Sequence, residues 1–529
     1  MTKPNILLII LDTTRRDHLS AYGYDRPTSP HFDAFAASAA TYTRAIAPAQ
    51  WTIPAHASMF SGLYPGAHGV TQSNSALSAE HPTLAEILRA DGYRTAAFCN
   101  NPLVGVLYNG LQRGFSEFYN YASAIPQRPP GAQSPARQAF IQRVQPTARR
   151  IANVFAQNDT LFRLALTPRL TPIWSKAINF KGNTADSIRD LIGWLDVRRR
   201  DPEPYFAFLN LMGAHLPYHP PTDALELVAS ELKADKRAYA FIRQFNADGA
   251  GWASPPNEPY TAWQSAALHA FYDAEILHQD RALGRLLDHL RQIGALDDTL
   301  VIIAADHGES HGDHDLFGHG FNVHQELVHV PLAIHDPDGQ RRGTRIDANV
   351  STRRIFHTIL GRAGVTPPLD DADPNADIAR LTLMQPDGEA FAFSEAFPPN
   401  TFLNVLHHRN RGAVERMALH RVRRAIYAGD QKLIARDEGD GARIEGVYDV
   451  AGDPGEAHNL MTDDPSVGAS RWDARPNPSI DVHLDTDAVD ALKCQIDAFI
   501  AASGTMPNAD APPASPEVLE RLRALGYIE

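Results

Sequence analysis

Two strand-like runs, far apart in the chain, each lead to an aspartate, and they restrict the fold more than any other feature. Asn5–Leu11 is apolar in all but its first residue and leads into Asp12, and Thr299–Ala304 leads through an alanine to Asp306. Near-continuous apolar strands are typical of parallel sheets whose two faces are both covered by helices. Ligands bind beyond the carboxyl ends of such strands, so both aspartates are placed for chemistry.

The rest of the first 365 residues alternates strand and helix patterns, which predicts an α/β fold with a mostly parallel sheet and crossover helices. Further strands are predicted at Arg94–Cys99, Tyr205–Leu211 and 330–334. Helices are predicted at 83–90, around 188–195 behind Asn183 or Thr184, at 262–293 and at 353–363. Residues 122–149, rich in Pro, Gln, Arg and Ala, indicate a surface loop or insertion.

A Pro/Asp-rich segment at 366–377 predicts a domain boundary. Beyond it, four short strand patterns are separated by Gly/Asp turns and followed by a helix. We therefore expect a catalytic domain over residues 1–375, with a helical or loop insertion at about 122–200, and a C-terminal α+β subdomain over 376–529.

Composition excludes several classes of protein. The net charge of −13, without a basic stripe, argues against a nucleic-acid partner. Cys99 and Cys494 are too few for a disulfide framework, and we expect each to be a buried structural thiol. No run approaches 18 apolar residues, and the N-terminal run lacks a cleavage site, so we expect a cytoplasmic protein without a membrane span. No motif indicates an oligomeric state.

Asp12 and Asp306 have two interpretations. A single aspartate after a strand is most often a turn residue or a helix cap. A second acidic strand end, with His307 directly beside it, instead indicates a metal site.

Thr52, in W-T-I-P-A-H, precedes a predicted helix at 54–61 that Gly62 ends. It is either a helix cap or a hydroxyl held where a helix N-terminus attracts an anion. Beside a divalent ion, such a hydroxyl would be partly deprotonated and aimed at a bound phosphate or sulfate. The residues alone leave both roles open.

Histidines cluster at 307–329, where four glycines in the first part of the cluster predict a loop instead of a helix. Most of these imidazoles are expected to be hydrogen-bonded loop residues. His215 differs because it follows a strand in a Gly/Pro-rich turn, a suitable place for a general acid or an oxyanion contact.

Together these motifs resemble the sulfatase family of the alkaline phosphatase superfamily, across nearly the whole chain. The resemblance is carried by P-N-I-L-L-I-I-L-D-T-T-R-R-D-H-L-S-A-Y-G-Y, W-T-I-P-A-H-A-S-M-F-S-G-L-Y-P, H-P-T-L-A-E-I-L-R-A-D-G-Y-R-T-A-A-F, D-H-G-E-S-H-G-D-H-D-L-F-G-H-G, D-Q-K-L-I, Y-D-V-A-G-D-P-G-E and the closing L-R-A-L-G-Y-I. It implies an alkaline-phosphatase-like sandwich of helices around a mostly parallel sheet, with a smaller C-terminal antiparallel sheet plus helix.

The resemblance also implies a role for individual positions. One divalent metal would be bound by Asp12, Asp306, His307 and Thr52. Thr52 stands where sulfatases carry the cysteine or serine that is oxidised to formylglycine. Either His215 or His319 would be the general acid that protonates the leaving group, and His319 would also contact the sulfate in place of a lysine. Asn74 and His56 would lie at the substrate, Asn74 as an anion contact and His56 as support of the nucleophile loop.

Three departures from the family pattern change the expected chemistry. Thr52-Ile53-Pro54-Ala55-His56 lacks the C/S-x-P-x-R signal, so we expect no formylglycine. Thr13 replaces a second aspartate that many sulfatases give to calcium, and His307 replaces their asparagine. Fewer carboxylates and one imidazole favour manganese or zinc, with calcium and magnesium as alternatives.

The resulting hypothesis is a hydrolase of sulfate or phosphate/phosphonate esters, acting through a covalent threonine intermediate. The substrate would be a small-molecule, saccharide or lipid-derived anionic ester. A threonine ester must be released by water attacking phosphorus or sulfur, which favours phosphate and phosphonate esters. The alternatives are a phosphoryl head-group transferase and a non-catalytic, metal-stabilised binding protein.

Overall fold

The computed structural model describes residues 3–123, 125–199, 201–255, 258–339, 341–367, 374–461 and 486–503. Its strands are β1 (Asn5–Leu11), β2 (Ala40–Ile46), β3 (Arg94–Cys99), β4 (Glu117–Asn120), β5 (Tyr205–Leu211), β6 (Thr299–Ala304), β7 (Ser310–His311), β8 (Phe317–Gly318), β9 (His329–His335), β10 (Arg345–Ser351), β11 (Ala392–Ala396), β12 (Arg423–Ala428), β13 (Gln431–Asp437) and β14 (Ala442–Asp449). Its helices are α1 (Pro30–Ala36), α2 (Thr52–Ser61), α3 (Pro65–His68), α4 (Leu84–Ala90), α5 (Pro102–Gly105), α6 (Pro135–Gln157), α7 (Asp159–Ala165), α8 (Thr171–Ala177), α9 (Thr184–Arg198), α10 (Thr222–Val228), α11 (Lys236–Ala247), α12 (Ala262–Gln292), α13 (Gln325–Val328), α14 (Ile355–Ala363), α15 (Pro374–Leu381), α16 (Asn400–Arg416) and α17 (Thr486–Ala502).

Eight strands form the main sheet in the order β10-β2-β9-β6-β1-β5-β3-β4. Strand β1 lies near the centre and pairs in parallel with β5 on one side and β6 on the other. Strand β9 runs antiparallel to both of its neighbours, and the other pairs in the sheet are parallel. The sheet is therefore mostly parallel, as the apolar strand patterns predict.

Helices cover both faces of this sheet. Ile6, Leu8 and Ile10 of β1 contribute to a core shared with α2, α4 and α14. The alternate residues Leu7 and Ile9 contribute to a second core shared with α1, α9, α10 and α12. A strand buried on both faces has no polar side, which explains why β1 reads as a continuous apolar run.

A second, four-stranded antiparallel sheet has the order β11-β12-β13-β14. Helix α17 packs against it through Val489, Leu492 and Ile496. The α/β fold with a smaller C-terminal antiparallel sheet and helix is thus confirmed. The division at 375/376 stays a prediction, and both residues 368–373 of the predicted linker and the closing L-R-A-L-G-Y-I lie outside the described residues.

One prediction is wrong, and a second is made more specific. Residues 122–149, predicted as a surface loop or insertion, include part of a helix, because α6 begins at Pro135, with the Ser134 side chain accepting a hydrogen bond from the Arg137 backbone N–H. Ser and Pro here are the start of a helix, where both are favoured. Cys99 is buried as expected, whereas Cys494 on α17 is exposed. Within the described ranges, no helix combines the length and hydropathy needed to cross a bilayer.

Candidate active site

The site lies where four adjacent strands of the main sheet end. Residue Ile10 of β1 pairs with Ala304 of β6 and with Asn210 of β5, and Asn210 also pairs with Cys99 of β3. The residues that follow these strands therefore meet at one edge of the sheet. They include Asp12, Asp306 and His307, as the position of polar residues after apolar strands predicts, and also Asn101.

Asp12, Asp306 and His307 converge there, with one ligand atom of each lying within 4.8 Å of the others. All three side chains are 0% exposed. Thr52 joins the cluster, with its Oγ1 3.3 Å from His307 Nε2. Asn101 Nδ2 donates a hydrogen bond to Asp12 Oδ2 (2.6 Å) and lies 3.5 Å from Thr52 Oγ1.

The surrounding backbone turns specific atoms toward the centre. Asp306 Oδ1 accepts hydrogen bonds from the N–H groups of Thr13 and His307. Thr13 holds a left-handed conformation (φ 56°), which is strained for a β-branched residue. Its hydroxyl donates to the Asp12 carbonyl (2.7 Å).

The donor set fits a divalent cation. Asp12 Oδ1 and Asp306 Oδ2 are buried and accept no hydrogen bond from any described residue. His307 Nδ1 donates to the Gly308 carbonyl (2.8 Å), which leaves Nε2 with a free lone pair. Burial raises the pKa of Asp12 to about 6, and burial together with Asp12 raises that of Asp306 well above its usual range. Two adjacent buried carboxylates are costly to ionise together, and a bound cation would stabilise their ionised form.

Thr52 is not a helix cap. Helix α2 begins at Thr52 itself, its N-cap is Trp51, and no side chain caps it. The helix ends, as predicted, at Gly62, whose left-handed conformation (φ 76°) suits glycine. The Thr52 hydroxyl therefore contacts the cluster through His307 and does not cap the helix. It lies at the positive end of the helix dipole.

His56, one turn further along α2, is buried behind the cluster. Its Nδ1 donates to the Thr52 carbonyl (2.9 Å) and lies 3.5 Å from Asp306 Oδ2. Its Nε2 is 3.4 Å from Asn210 Nδ2, which also donates to Asp12 Oδ2. Burial lowers the pKa of His56 to about 4, so the imidazole is neutral at pH 7. These contacts are with the nucleophile loop and the strand ends.

His319 and His215 form the outer layer of the site. The ring of His319 lies 4.5 Å from that of His307 and 5.2 Å from that of His215. His319 Nδ1 donates to Glu309 Oε1 (2.8 Å), and Glu309 is fully buried. Burial lowers the pKa of His319, but the Glu309 carboxylate outweighs it and the pKa is raised. Burial, together with His319, lowers that of His215 well below its usual range.

Asn74 lies in an exposed turn between α3 and α4. None of the hydrogen bonds among the described residues joins it to Asp12, Thr52 or the histidines. Its contact with an anionic substrate stays a prediction.

Three further site residues were not predicted. Asn210 is the one polar residue inside the otherwise apolar β5, and Asn101 follows β3 as Asp12 follows β1. Both signals are visible in the sequence. Glu309, in D-H-G-E, has no comparable signal, because its role in the site depends on its hydrogen bond with His319.

Comparison with known proteins agrees with this fold. A model of the sulfatase family matches residues 4–365. Since that is well over half of the chain, the protein belongs to the sulfatase family of the alkaline phosphatase superfamily, whose members hydrolyse ester bonds.

Individual relatives are distant. The chain is 25% identical over 395 residues to an ulvan-active sulfatase of Formosa agariphila, covering 74% of this chain and 66% of that one. It is 26% identical over 422 residues to the multifunctional alkaline phosphatase superfamily protein PehA of Trinickia caryophylli, covering 70% and 75%. The crystal structure of a phosphonate monoester hydrolase of Agrobacterium radiobacter superposes with a TM-score of 0.60 at 24% identity, covering 94% and 96%.

Proposed function

We propose that this sulfatase-family protein hydrolyses phosphate or phosphonate esters with Thr52 as the nucleophile. One observation carries the proposal: Thr52 Oγ1 lies in the first turn of α2, 3.3 Å from His307 Nε2, beside two buried carboxylate oxygens that accept no hydrogen bond from the described residues. The substrate class is a small-molecule, saccharide or lipid-derived anionic ester. Sulfate esters are the second candidate, favoured by a relative named as an ulvan-active sulfatase.

Asp12, Asp306, His307 and Thr52 Oγ1 would hold one divalent cation. When bound, it supplies a Lewis acid that lowers the pKa of the hydroxyl and offsets the substrate's charge. Two carboxylates and one imidazole suit manganese or zinc better than calcium, which prefers more oxygen ligands.

The first half of the reaction forms a threonine ester. Thr52 enters as its alkoxide, having lost its proton to solvent, and Oγ1 attacks phosphorus as the bond to the leaving oxygen breaks. His319 donates a proton from Nε2 to that oxygen. The Glu309 contact at Nδ1 supports this role, because it fixes the ring and favours the doubly protonated imidazole.

The second half releases the anion. Water attacks the same phosphorus, the bond to Oγ1 breaks, and His319, now neutral, accepts the proton of the water. His215 donates its Nδ1 proton to the Leu216 carbonyl (2.7 Å), so its Nε2 is an acceptor and is suited to orienting that water. The proposed route uses the threonine hydroxyl itself and needs no formylglycine. His56 supports the loop from behind.

The test combines metal analysis with parallel assays. Wild type, Thr52→Ala and Ser61→Ala, a matched hydroxyl at the other end of α2, are assayed against aryl sulfate, phosphate monoester, phosphate diester and phosphonate ester at saturating metal. Thr52→Ala should lower kcat by about 10³-fold or more, whereas Ser61→Ala should change it little. Asp306→Asn should lose the bound metal.

Mass spectrometry of quenched turnover should find one phosphoryl or phosphonyl group on the peptide that contains Thr52. Unchanged rates for Thr52→Ala would reject the nucleophile. Rapid turnover of the aryl sulfate alone would assign sulfate esters. The absence of turnover of every ester by fully metallated protein would favour a binding protein.

A further inference from the structure

A second cluster of histidines lies outside the proposed active site. His18 follows β1 in a short 3₁₀ turn, His269 lies on α12 and His311 is in β7. One ring nitrogen of each lies within 4.8 Å of the others. Three imidazoles from three separate elements have therefore been brought to one point, although no two are close in sequence.

Two of the rings are oriented by partners on their far side. His18 Nδ1 donates to Asp273 Oδ1 (2.6 Å), and Asp273 is fully buried. His311 Nε2 is 2.8 Å from the Tyr218 hydroxyl. A carboxylate or hydroxyl behind an imidazole is the arrangement that directs the opposite nitrogen toward a metal.

The opposite nitrogens are His18 Nε2 and His311 Nδ1. His311 is 4% exposed, and its Nδ1 has no hydrogen-bond partner among the described residues. A buried polar atom without a partner costs free energy, so this nitrogen points to a missing ligand.

The surrounding charges tolerate a cation. Arg26 pairs with Asp273, and Arg15 pairs with Asp17 and Asp313. Three carboxylates thus face two guanidinium groups, which leaves a net charge of −1.

A neighbouring cluster of possible metal ligands already contains a positively charged side chain. His314, His324 and Glu456 also lie within reach of a common point. There the Lys432 ammonium pairs with Glu456, and His324 Nδ1 donates to the same carboxylate. That cluster already contains a cation, the Lys432 ammonium.

We propose that His18, His269 and His311 form a second metal site that binds zinc or a similar transition metal. Three imidazole nitrogen donors select borderline metals such as Zn²⁺, Ni²⁺ or Cu²⁺ over Mg²⁺ and Ca²⁺. His269 is partly exposed, which opens a path from solvent and a fourth position for water.

The site would link elements that carry the proposed active site. His18 follows the segment of Asp12, and His311 follows that of His307. Tyr272 lies between the rings, 4.6 Å from His311 and 5.2 Å from His18, and its hydroxyl donates to the Thr13 carbonyl (2.7 Å). A metal here would fix both strand ends relative to α12. The inference does not depend on Thr52 or on turnover.

The experiment counts metals in untagged, chelator-stripped full-length protein titrated with Co²⁺ and Zn²⁺. The Asp306→Asn background removes the first site, and in it we expect one equivalent of Co²⁺ with the visible absorption of nitrogen coordination. His269→Ala in that background should abolish the binding and the absorption. His278→Ala, an exposed histidine on the same helix, should keep both.

A second readout guards against unfolding of the variant. Zn²⁺ should raise the thermal unfolding midpoint of Asp306→Asn and of its His278→Ala derivative, but not that of the His269→Ala derivative. Circular dichroism of the metal-free proteins should be the same. The absence of Co²⁺ binding by Asp306→Asn, or its survival in the His269→Ala derivative, would overturn the proposal. Neither result depends on which ester the protein cleaves.

Discussion

Glu309 determines what His319 can do. Its Oε1 accepts the Nδ1 proton of His319 at 2.8 Å, and its other oxygen is buried without a hydrogen-bond partner among the described residues. A buried carboxylate that contacts an imidazole favours the imidazolium form. The proposed general acid is therefore positioned and charged by a residue that does not itself face the substrate.

Replacing Glu309 tests this role. Glu309→Gln should lower kcat by about 10–100-fold, the range typical of residues that orient an active-site histidine. The loss should be larger for esters with poor leaving groups, since these need protonation most. Rates are measured across aryl esters of graded leaving-group pKa. An equal loss across the series would contradict the role.

His319→Gln is the companion variant. It should reproduce the leaving-group dependence, and the double variant should be little worse than either single one because the two residues act as a unit. Additive losses would show that Glu309 acts elsewhere.

At the residue scale, the sequence predicts the residues that end strands. Asp12, Asp306 and His307 follow apolar runs, and the geometry of parallel strands requires such residues to meet. Glu309 was missed because its partner, His319, lies ten residues away, beyond the antiparallel pair β7 and β8, and only the tertiary structure brings the two side chains together. Asn74 was taken from resemblance alone; it lies in an exposed turn, no hydrogen bond among the described residues joins it to the cluster, and its contact with a substrate stays a prediction.

The turn after β6 depends on the absence of a side chain at Gly308. A Cβ there would lie 1.9 Å from the Glu326 carbonyl oxygen, far inside van der Waals contact. The Gly308 N–H also donates to the Leu327 carbonyl at 2.7 Å. The segment that carries Asp306 and His307 is thus pressed directly against the backbone of α13.

Gly308→Ala should separate these two segments. We expect a loss of about 1–3 kcal/mol in the free energy of unfolding, as for other overpacking substitutions, together with weaker metal binding. Urea unfolding and metal titration measure the two effects.

Gly320→Ala is the control in the same loop, because its Cβ would meet only Pro399 at 3.9 Å. It should leave both quantities nearly unchanged. Equal effects of the two variants would mean that loop flexibility, and not the contact with Glu326, limits stability.

At the element scale, burial decides which strands are predictable. Strands β1, β5 and β6 are covered on both faces and have unmistakable apolar patterns. Strands β10 and β4 form the edges of the sheet, and their sequences, R-I-D-A-N-V-S and E-F-Y-N, mix polar and apolar residues. Such patterns resemble loops, because only tertiary pairing makes them strands.

A buried ionic network connects the C-terminal sheet with the histidine-rich loop. Lys432 of β13 pairs with Glu456, which accepts a hydrogen bond from His324. The rings of His314 and His324 are stacked at 3.6 Å, and His314 also contacts Glu326. Residues from the histidine-rich loop and from the C-terminal sheet therefore share one set of charges.

This network makes stability depend on pH. Burial lowers the pKa of His314, but Glu326 and Glu456 raise it by more, to about 9. A folded-state pKa above the unfolded value of about 6.5 gives stability that is fully present below pH 6.5 and is lost as the pH rises through 9. His314→Gln should remove this dependence, which we expect to amount to about 1–3 kcal/mol.

The measurement is urea unfolding between pH 6 and 10, in about unit steps. His408→Gln, an exposed histidine on α16, should keep the wild-type slope. A His314→Gln protein that still loses stability over this window would place the titrating group elsewhere.

The order of the main sheet also dictates when it can assemble. Strand β1 is synthesised before both of its neighbours, which begin at Tyr205 and Thr299. During synthesis this apolar strand therefore has two unpaired edges while its neighbours are still being translated, and such strands are prone to incorrect pairing. We expect truncated chains ending before β6 to aggregate, and chaperones that shield nascent chains to matter for the yield of this protein.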